Sequence, residues 1–302
     1  MKKILNYLFE HKSLTRDQAK EVLHNISNNV YSDAEIAAFI TVYLMRSISI
    51  EELQGFRDAL MELCVPVDLK GNEVIDIVGT GNYGASSISG SSNVMEQLGY
   101  TFKKDNDLLN KELDEANICF LHAPLFHPAL KVVGPIRKNL GVRTFFNMLG
   151  PMVNPASPKY QLVGVYNLEM ARIYNYLLQQ GSSAFTIIHS LDGYDEISLT
   201  GDIKVITNAG EKIYSAEDLG KRTVSPMDIH GGNSVEDAAK IFLNILKGEG
   251  SWAQNAVVLA NSAMALQCTG KFESYDACYQ MAVESLESGR AYQSLQKITD
   301  KN

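Results

Sequence analysis

The sequence is poor in the features that would tie it to a membrane, a polyanion or an oxidising compartment. No stretch approaches the 18 or so uninterrupted apolar residues of a spanning helix. The opening Met1-Lys2-Lys3-Ile4-Leu5-Asn6 also lacks the apolar core of a secretory signal. Basic residues are outnumbered, 27 Lys and Arg against 35 Asp and Glu, for a net charge of −8. Nucleic acids and anionic membranes require a basic surface, so the balance argues against both as partners. A phosphorylated small molecule stays open, because it needs only local backbone donors and one or two cations. Cysteine is scarce. Cys64, Cys119, Cys268 and Cys278 are scattered and form no Cys-x-x-Cys, so neither a disulfide framework nor a zinc site is expected. Buried free thiols in a reducing, cytoplasmic compartment are the expectation. There is no internal repeat, low-complexity tract or long linker. The remainder is of ordinary globular composition, 45% hydrophobic and 21% charged over 302 residues, enough for one large domain or two smaller ones.

The first 65 residues read as helices. Ile4, Leu5, Leu8 and Phe9 recur at helical spacing. Three capping boxes follow, Thr15-x-x-Gln18, Ser32-x-x-Glu35 and Ser49-x-x-Glu52. In each, a hydroxyl takes an orphan amide and the residue three positions on reaches back to the cap. The stretch Ile36–Met45 is apolar nearly all round, which requires burial on more than one side. In a small helical domain this suggests a subunit interface, with a central helix of a monomer as the alternative.

At Val65-Pro66-Val67 the pattern changes. Short apolar runs at 74–78, 118–122, 162–166, 185–189 and 203–207 read as strands. Helical patterns occupy 168–180, 235–246, 252–266 and 275–286. Strands alternating with helices predict a mostly parallel sheet covered on both faces. The fold class expected is therefore α/β: a small all-helical domain plus a larger α/β domain with a mostly parallel central sheet, and an active-site cleft between them.

Four motifs carry candidate chemistry. The strand at 74–78 runs into Gly79-Thr80-Gly81, where glycines let the backbone approach an anion. A plain tight turn has the same sequence. Ser86-Ser87-Ile88-Ser89-Gly90-Ser91-Ser92-Asn93 leads into a helix at 94–98. Hydroxyls at a helix start suit an anion, though a well-capped helix would look alike. His127 stands at the start of a helix opening with Pro128, and Arg137 lies ten positions on, nearly three turns, so the two share a face. A guanidinium in a cleft suits a planar carboxylate. The alternative is a solvated helix arginine. Last, Asp192-Gly193-Tyr194-Asp195-Glu196 follows the strand at 185–189. Adjacent carboxylates there suit Mg²⁺, while Asp-Gly is also a routine turn.

Together these motifs resemble the anthranilate phosphoribosyltransferases over essentially the whole chain. The most specific stretch is His122-Ala123-Pro124-Leu125-Phe126-His127-Pro128-Ala129 through Arg143-Thr144-Phe145-Phe146-Asn147-Met148-Leu149-Gly150-Pro151-Met152-Val153-Asn154-Pro155. The resemblance implies a helical domain from residues 1–66 and 125–158, usually dimerised, and an α/β domain from residues 67–124 and 159–302. It implies transfer of phosphoribose from phosphoribosyl pyrophosphate (PRPP) to anthranilate with Mg²⁺ assisting. Carried over by position, Arg137 holds the anthranilate carboxylate, His127 and Pro151 line the path of the aromatic, and Asn82 lies near it. Gly79, Thr80, Gly81, Ser86, Ser87 and Ser91 meet PRPP, and Asp195 and Glu196 hold the metal.

The family pattern runs G-T-G-G-D-G, N-I-S-T opening a helix, a strand ending K-H-G-N, then a serine-rich turn. Here Gly79-Thr80-Gly81 joins almost directly to Asn82-Tyr83-Gly84-Ala85-Ser86-Ser87. The junction between Gly81 and Tyr83 skips most of the phosphate loop, one helix and one strand, nearly the ~30 residues of a βαβ unit. Such a chain is expected to be poorly stable unless neighbouring strands close the gap, and weakened in PRPP binding. Two other readings follow. One is a dimeric paralogue without turnover. The other is a pyrimidine-nucleoside phosphorylase, which the Arg143–Pro155 stretch fits less well.

Overall fold

The structure of the chain, a computed structural model, describes residues 1–80 and 90–299. In chain order run α1 (Lys2–Phe9), α2 (Arg16–Ser27), α3 (Asp33–Met45), α4 (Ile50–Leu63), β1 (Ile75–Gly79), α5 (Ser91–Gln97), α6 (Asn106–Ala116), α7 (Ala123–Phe126), α8 (Pro128–Leu140) and α9 (Phe146–Leu149). There follow β2 (Tyr160–Gly164), α10 (Leu168–Leu178), β3 (Ala184–Ser190), β4 (Ile203–Thr207), β5 (Gly210–Tyr214), α11 (Val235–Leu246), α12 (Trp252–Cys268), α13 (Tyr275–Glu287) and α14 (Arg290–Thr299). The chain divides into two compact units, Met1–Leu69 with Leu121–Ser157, and Lys70–Phe120 with Pro158–Asn302.

In the helical unit, α2, α3 and α4 each begin one residue after the hydroxyl of a complete capping box, at Thr15, Ser32 and Ser49. The third box extends into the core. Glu52 is fully buried and accepts from Ser49 N and Leu14 N, both at 2.9 Å, from Tyr43 Oη at 3.1 Å and from Arg46 Nη1 at 3.0 Å. Burial alone would raise its carboxyl; the Arg46 guanidinium and the two amides outweigh that and hold it below the usual carboxylate range. Gly55 lets α4 lie close on α2, since a Cβ there would run into Arg16 O and stand 2.8 Å from Ala19 Cβ. Against this pair packs an aromatic cluster, with Phe39 and Phe56 edge to face at 5.9 Å, Phe56 stacked on Phe145 at 4.8 Å and Phe145 on Phe146 at 4.3 Å. On α3, Ile36, Phe39, Ile40, Val42 and Tyr43 are buried as the all-round apolar pattern requires, while Leu44 and Met45 stay exposed.

The α/β unit is built on one sheet of order β1-β2-β3-β4-β5, parallel from β1 to β3 and continued by the antiparallel hairpin β4–β5. Leu162, Ile188, Ile203 and Val205 face Ala253, Ala256, Ala260 and Met264 of α12; these small side chains let the helix sit low on the sheet. Helix α10 packs on β3 and β4. A second core joins Met95, Tyr100 and Ala116 to Leu295 and Ile298, with α5 on α11 and α6 on α14. No helix among the described residues is long and apolar enough to cross a membrane.

Three strand expectations change. The run 162–166 pairs two residues earlier, as Tyr160–Gly164, and the hairpin's second strand, Gly210–Tyr214, was not foreseen. Residues 118–122 form no strand. Strand propensity needs a partner backbone in register, and among the described residues the sheet ends at β1. Phe120 instead packs on Tyr100 and Phe102, at centroid distances of 5.0 and 6.4 Å. β1 itself is thinly covered. Ile77 is 64% exposed in mid-strand, although its register partner Leu162 is buried at 3%. Substituting Ile77→Ala is expected to change stability by less than about 0.5 kcal/mol, whereas Ile187→Ala, at a fully buried position of β3, costs about 2–5 kcal/mol. Urea unfolding of the two variants checks this.

Candidate active site

In the α/β unit the chemistry gathers at the C-terminal ends of the parallel strands. Gly79 closes β1 and Gly164 closes β2, and the parallel register sets them side by side. The segment after β3 turns at Gly193, whose φ of 105° suits glycine. Ser190 N donates to Tyr194 O at 3.0 Å and Gly193 N to Ser190 O at 2.9 Å. The chain then crosses the two glycines. A Cβ on Gly79 would overlap the Asp195 carboxylate, and one on Gly164 would overlap the Asp195 carbonyl. The Asp192-Gly193 sequence is thus a turn, and the turn delivers the acidic pair to the strand ends. Asp195 is buried and Glu196 is open to solvent. The protein nonetheless surrounds Glu196 closely enough that burial raises its carboxyl, with the charge of Asp195 as a second cause. Ser190 Oγ donates to Glu196 O at 2.6 Å, which fixes the peptide carrying the exposed carboxylate.

Thr80 follows β1 and is buried. Its amide donates to Gly164 O at 3.0 Å, so it is spent on extending the sheet. Its hydroxyl Oγ1 is buried with no hydrogen-bond partner, and such a group is costly unless a ligand or water engages it. Ser91 is exposed in the first turn of α5, whose cap Gly90 offers no side chain. Gly81, Asn82, Ser86 and Ser87 lie outside the described residues.

In the helical unit His127 caps α8 and is 2% exposed. Its Nε2 lies 2.7 Å from Val153 O, which can only accept, so the proton sits on Nε2. Nδ1 is then a buried acceptor without a hydrogen-bond partner. The Leu60 carbonyl lies nearby and favours the protonated ring without reaching hydrogen-bond geometry. Burial outweighs it and Val153, and lowers the imidazole's pKa. His127 therefore ties the start of α8 to the turn through Gly150–Met152, in which Pro151 is buried. Arg137, near the end of α8, donates from Nη2 to Asn147 Oδ1 at 2.9 Å and stands 5.6 Å over the Phe146 ring. Asn147 Oδ1 also accepts Thr144 N at 3.2 Å. No carboxylate pairs with Arg137 among the described residues, and burial pulls its guanidinium below the usual value. A desolvated cation with unused donors is prepared for an anionic, planar guest. Sequence reasoning missed Asn147 as the orienting partner and Gly164 as the second glycine under Asp195. The signal for Gly164 was its place at the end of an apolar strand.

The donors at the strand ends suit a hard divalent cation. Mg²⁺ takes one or two carboxylates and completes its shell with water and ligand phosphate. Asp195 and Glu196 fit that description. Among the described residues no group of three His, Cys, Asp or Glu side chains could hold a metal, so the pair matches a cation shared with a phosphorylated ligand.

Comparison with known proteins agrees with this layout. Residues 2–64 match the glycosyl transferase family, helical bundle domain, and residues 73–292 its a/b domain. An anthranilate phosphoribosyltransferase from Christiangramia forsetii is 53% identical, covering 99% of this chain and 98% of its own. One from Bacteroides thetaiotaomicron is 50% identical, covering 100% and 99%. That alignment runs over 330 residues against the 302 here, so about 28 positions of the relative have no counterpart in this chain. Among solved structures, the Thermus thermophilus anthranilate phosphoribosyltransferase superposes with a TM-score of 0.86 at 26% identity, covering 98% of both chains. A Saccharomyces cerevisiae enzyme of the same name, in complex with PRPP and Mg, shares the fold at a TM-score of 0.86 and 22% identity, covering 98% of this chain and 96% of its own. With both domains matched and half of the residues identical end to end, the chain belongs to the anthranilate phosphoribosyltransferase family.

Proposed function

We propose that this chain transfers the phosphoribosyl group of PRPP to the amino group of anthranilate, giving N-(5-phosphoribosyl)anthranilate and pyrophosphate. The observation that carries the reading is Arg137, a desolvated guanidinium oriented by Asn147 and left without a carboxylate partner among the described residues. An aromatic carboxylate supplies what it lacks. The relatives' names and the PRPP complex of the yeast enzyme support the same substrates.

In this reaction the C1′–O bond to pyrophosphate breaks and a C1′–N bond forms. The nitrogen then gives up one proton to water, and the leaving group carries away the bond's electrons. Positive charge builds on the ribose and negative charge on the pyrophosphate. An aromatic amine is neutral and nucleophilic near pH 7, so no strong base is demanded. The protein's task is placement and charge stabilisation. Arg137 anchors the carboxylate and thereby fixes the amine's direction. His127 stays neutral and holds α8 to the Pro151 turn. At the strand ends the free Thr80 hydroxyl is a donor for a diphosphate oxygen. Asp195 and Glu196 would hold Mg²⁺, which when bound neutralises developing charge on the pyrophosphate. Pairing of two copies through the helical unit belongs to the same reading. Leu44, Met45 and Phe9 leave apolar surface open on α3 and α1, and sedimentation at twice the 33.4 kDa chain mass is the expected result.

Anthranilate consumption, followed by fluorescence with PRPP and Mg²⁺ present, tests the assignment. Phosphorolysis of uridine without any anthranilate consumption would overturn it. Calorimetry resolves the two substrates. Arg137→Ala is expected to weaken anthranilate binding by about 1.5–3 kcal/mol, the worth of hydrogen bonds to a charged group. The shortened phosphate-loop pattern after Gly79-Thr80-Gly81 supports the expectation that PRPP affinity falls below that of the Bacteroides thetaiotaomicron enzyme. Gly79→Ala would displace the Asp195 carboxylate, so it should abolish turnover and Mg²⁺-dependent PRPP binding while leaving anthranilate binding, carried by Arg137 in the other compact unit, unchanged.

A further inference from the structure

The acidic pair sits on an irregular segment, yet that segment is held as firmly as a strand. Its tether is Asn261, on the sheet-facing helix α12. Asn261 Oδ1 accepts from Ile197 N at 2.9 Å, and Nδ2 donates to Ile197 O at 2.9 Å and to Val257 O at 2.9 Å. The orientation of the amide is forced, because a backbone N–H only donates and a carbonyl only accepts. The side chain thus reproduces the two hydrogen bonds that a neighbouring strand would make with Ile197, the residue next to Glu196. The third bond, one turn back on α12, fixes the amide itself. Ile197 is fully buried in the same core as Ala256 and Ala260, so the clamp is shielded from competing water.

We infer that Asn261 is a positioning residue for the Asp195–Glu196 pair. Three successive residues are held from three sides: Asp195 lies on Gly79 and Gly164, the Glu196 carbonyl takes Ser190 Oγ, and Ile197 is gripped by Asn261. Ser198 extends the hold, its Oγ lying 3.2 Å from Ser190 Oγ and 2.7 Å from Thr200 Oγ1. Two like-charged carboxylates repel, and nothing in a free loop would keep both turned toward one cation. The clamp fixes the backbone that carries both before any ligand arrives. A metal site prepared in this way binds more tightly, because fewer degrees of freedom are lost on binding.

The inference rests on the reading of Asp195 and Glu196 as metal ligands, and the test separates the two. Asn261→Leu keeps the number and branching of the side-chain heavy atoms and removes all three bonds. Ser190→Ala removes the bond to Glu196 O together with those that Ser190 Oγ accepts from Ser198 N and Ser198 Oγ, and leaves the Asn261 bonds in place. Ser262→Ala, which loses a bond to Val258 O at 2.8 Å on the same helix, controls for disturbance of α12. In the intact chain, Mn²⁺ binding is measured by electron paramagnetic resonance with pyrophosphate present, amide hydrogen exchange is read at Ile197, and anthranilate affinity is measured alongside. Asn261→Leu is expected to weaken Mn²⁺ binding by about tenfold or more, the usual effect of losing an outer-shell partner. It should speed Ile197 exchange and leave anthranilate affinity as it was; Ser262→Ala should do none of these. Unchanged exchange at Ile197 would show that no clamp exists. Faster exchange with unchanged Mn²⁺ affinity would overturn the positioning role and leave the proposed function standing. No Mn²⁺ binding by the unsubstituted chain would remove the metal assignment, and the inference with it. Should Asn261→Leu fail to fold, Ser190→Ala gives the same readouts one residue earlier, with the same outcomes deciding.

Discussion

The chemistry of the α/β unit depends on the absence of two side chains. Gly79 and Gly164 end adjacent parallel strands in register, and Asp195 lies directly against both. A methyl group on either would push the acidic segment off the strand ends. Parallel strands share one C-terminal edge, so all their following loops emerge on the same side, where ligands of open α/β sheets gather. The close approach at the glycines turns that general tendency into a defined position for one carboxylate. The other carboxylate follows from it through the Ser190 and Asn261 tethers.

The helical unit treats two of its arginines in contrasting ways. Arg46 meets Glu52 in a network that also consumes Tyr43 Oη and two amides, so the buried carboxylate is fully engaged, with Arg46 Nε alone of the guanidinium left without a hydrogen-bond partner. Arg137 has an amide oxygen and an aromatic ring, and no anion among the described residues. Breaking the first arrangement would strand a buried charge at a cost of about 3–5 kcal/mol. The second already bears part of such a cost in the free protein. That difference separates an arginine that serves the fold from one that awaits a ligand.

About 28 positions aligned in the Bacteroides thetaiotaomicron relative have no counterpart here. Among the described residues the sheet ends at β1, and Ile77 stands open in the middle of that strand. Residues 118–122 carry strand-forming side chains but have no ladder to join. Among the described residues β1 keeps its pairing on one side alone, through β2.

Local signals were legible wherever the physics is local. The capping boxes at Thr15, Ser32 and Ser49, the alternation of strands and helices, the glycine at the end of β1 and the acidic pair after β3 were all visible as residue types at fixed spacing. The same holds for the family resemblance carried by residues 122–155. Other features were not legible, because each is a relation between distant segments. Gly164 matters only because parallel pairing places it beside Gly79. Asn147 matters only because α8 brings Arg137 to it. Asn261, one of several polar residues along α12, had no visible purpose until the core set it against Ile197. The sequence by itself determined most of the helices and the strands at the sheet's centre, though not the pairing that excludes 118–122 or adds β5, and which residue types are available for phosphate, metal and carboxylate. Tertiary structure alone decided which of those residues meet and which buried polar groups stay unsatisfied, because desolvation and close approach are properties of neighbours in space and not along the chain.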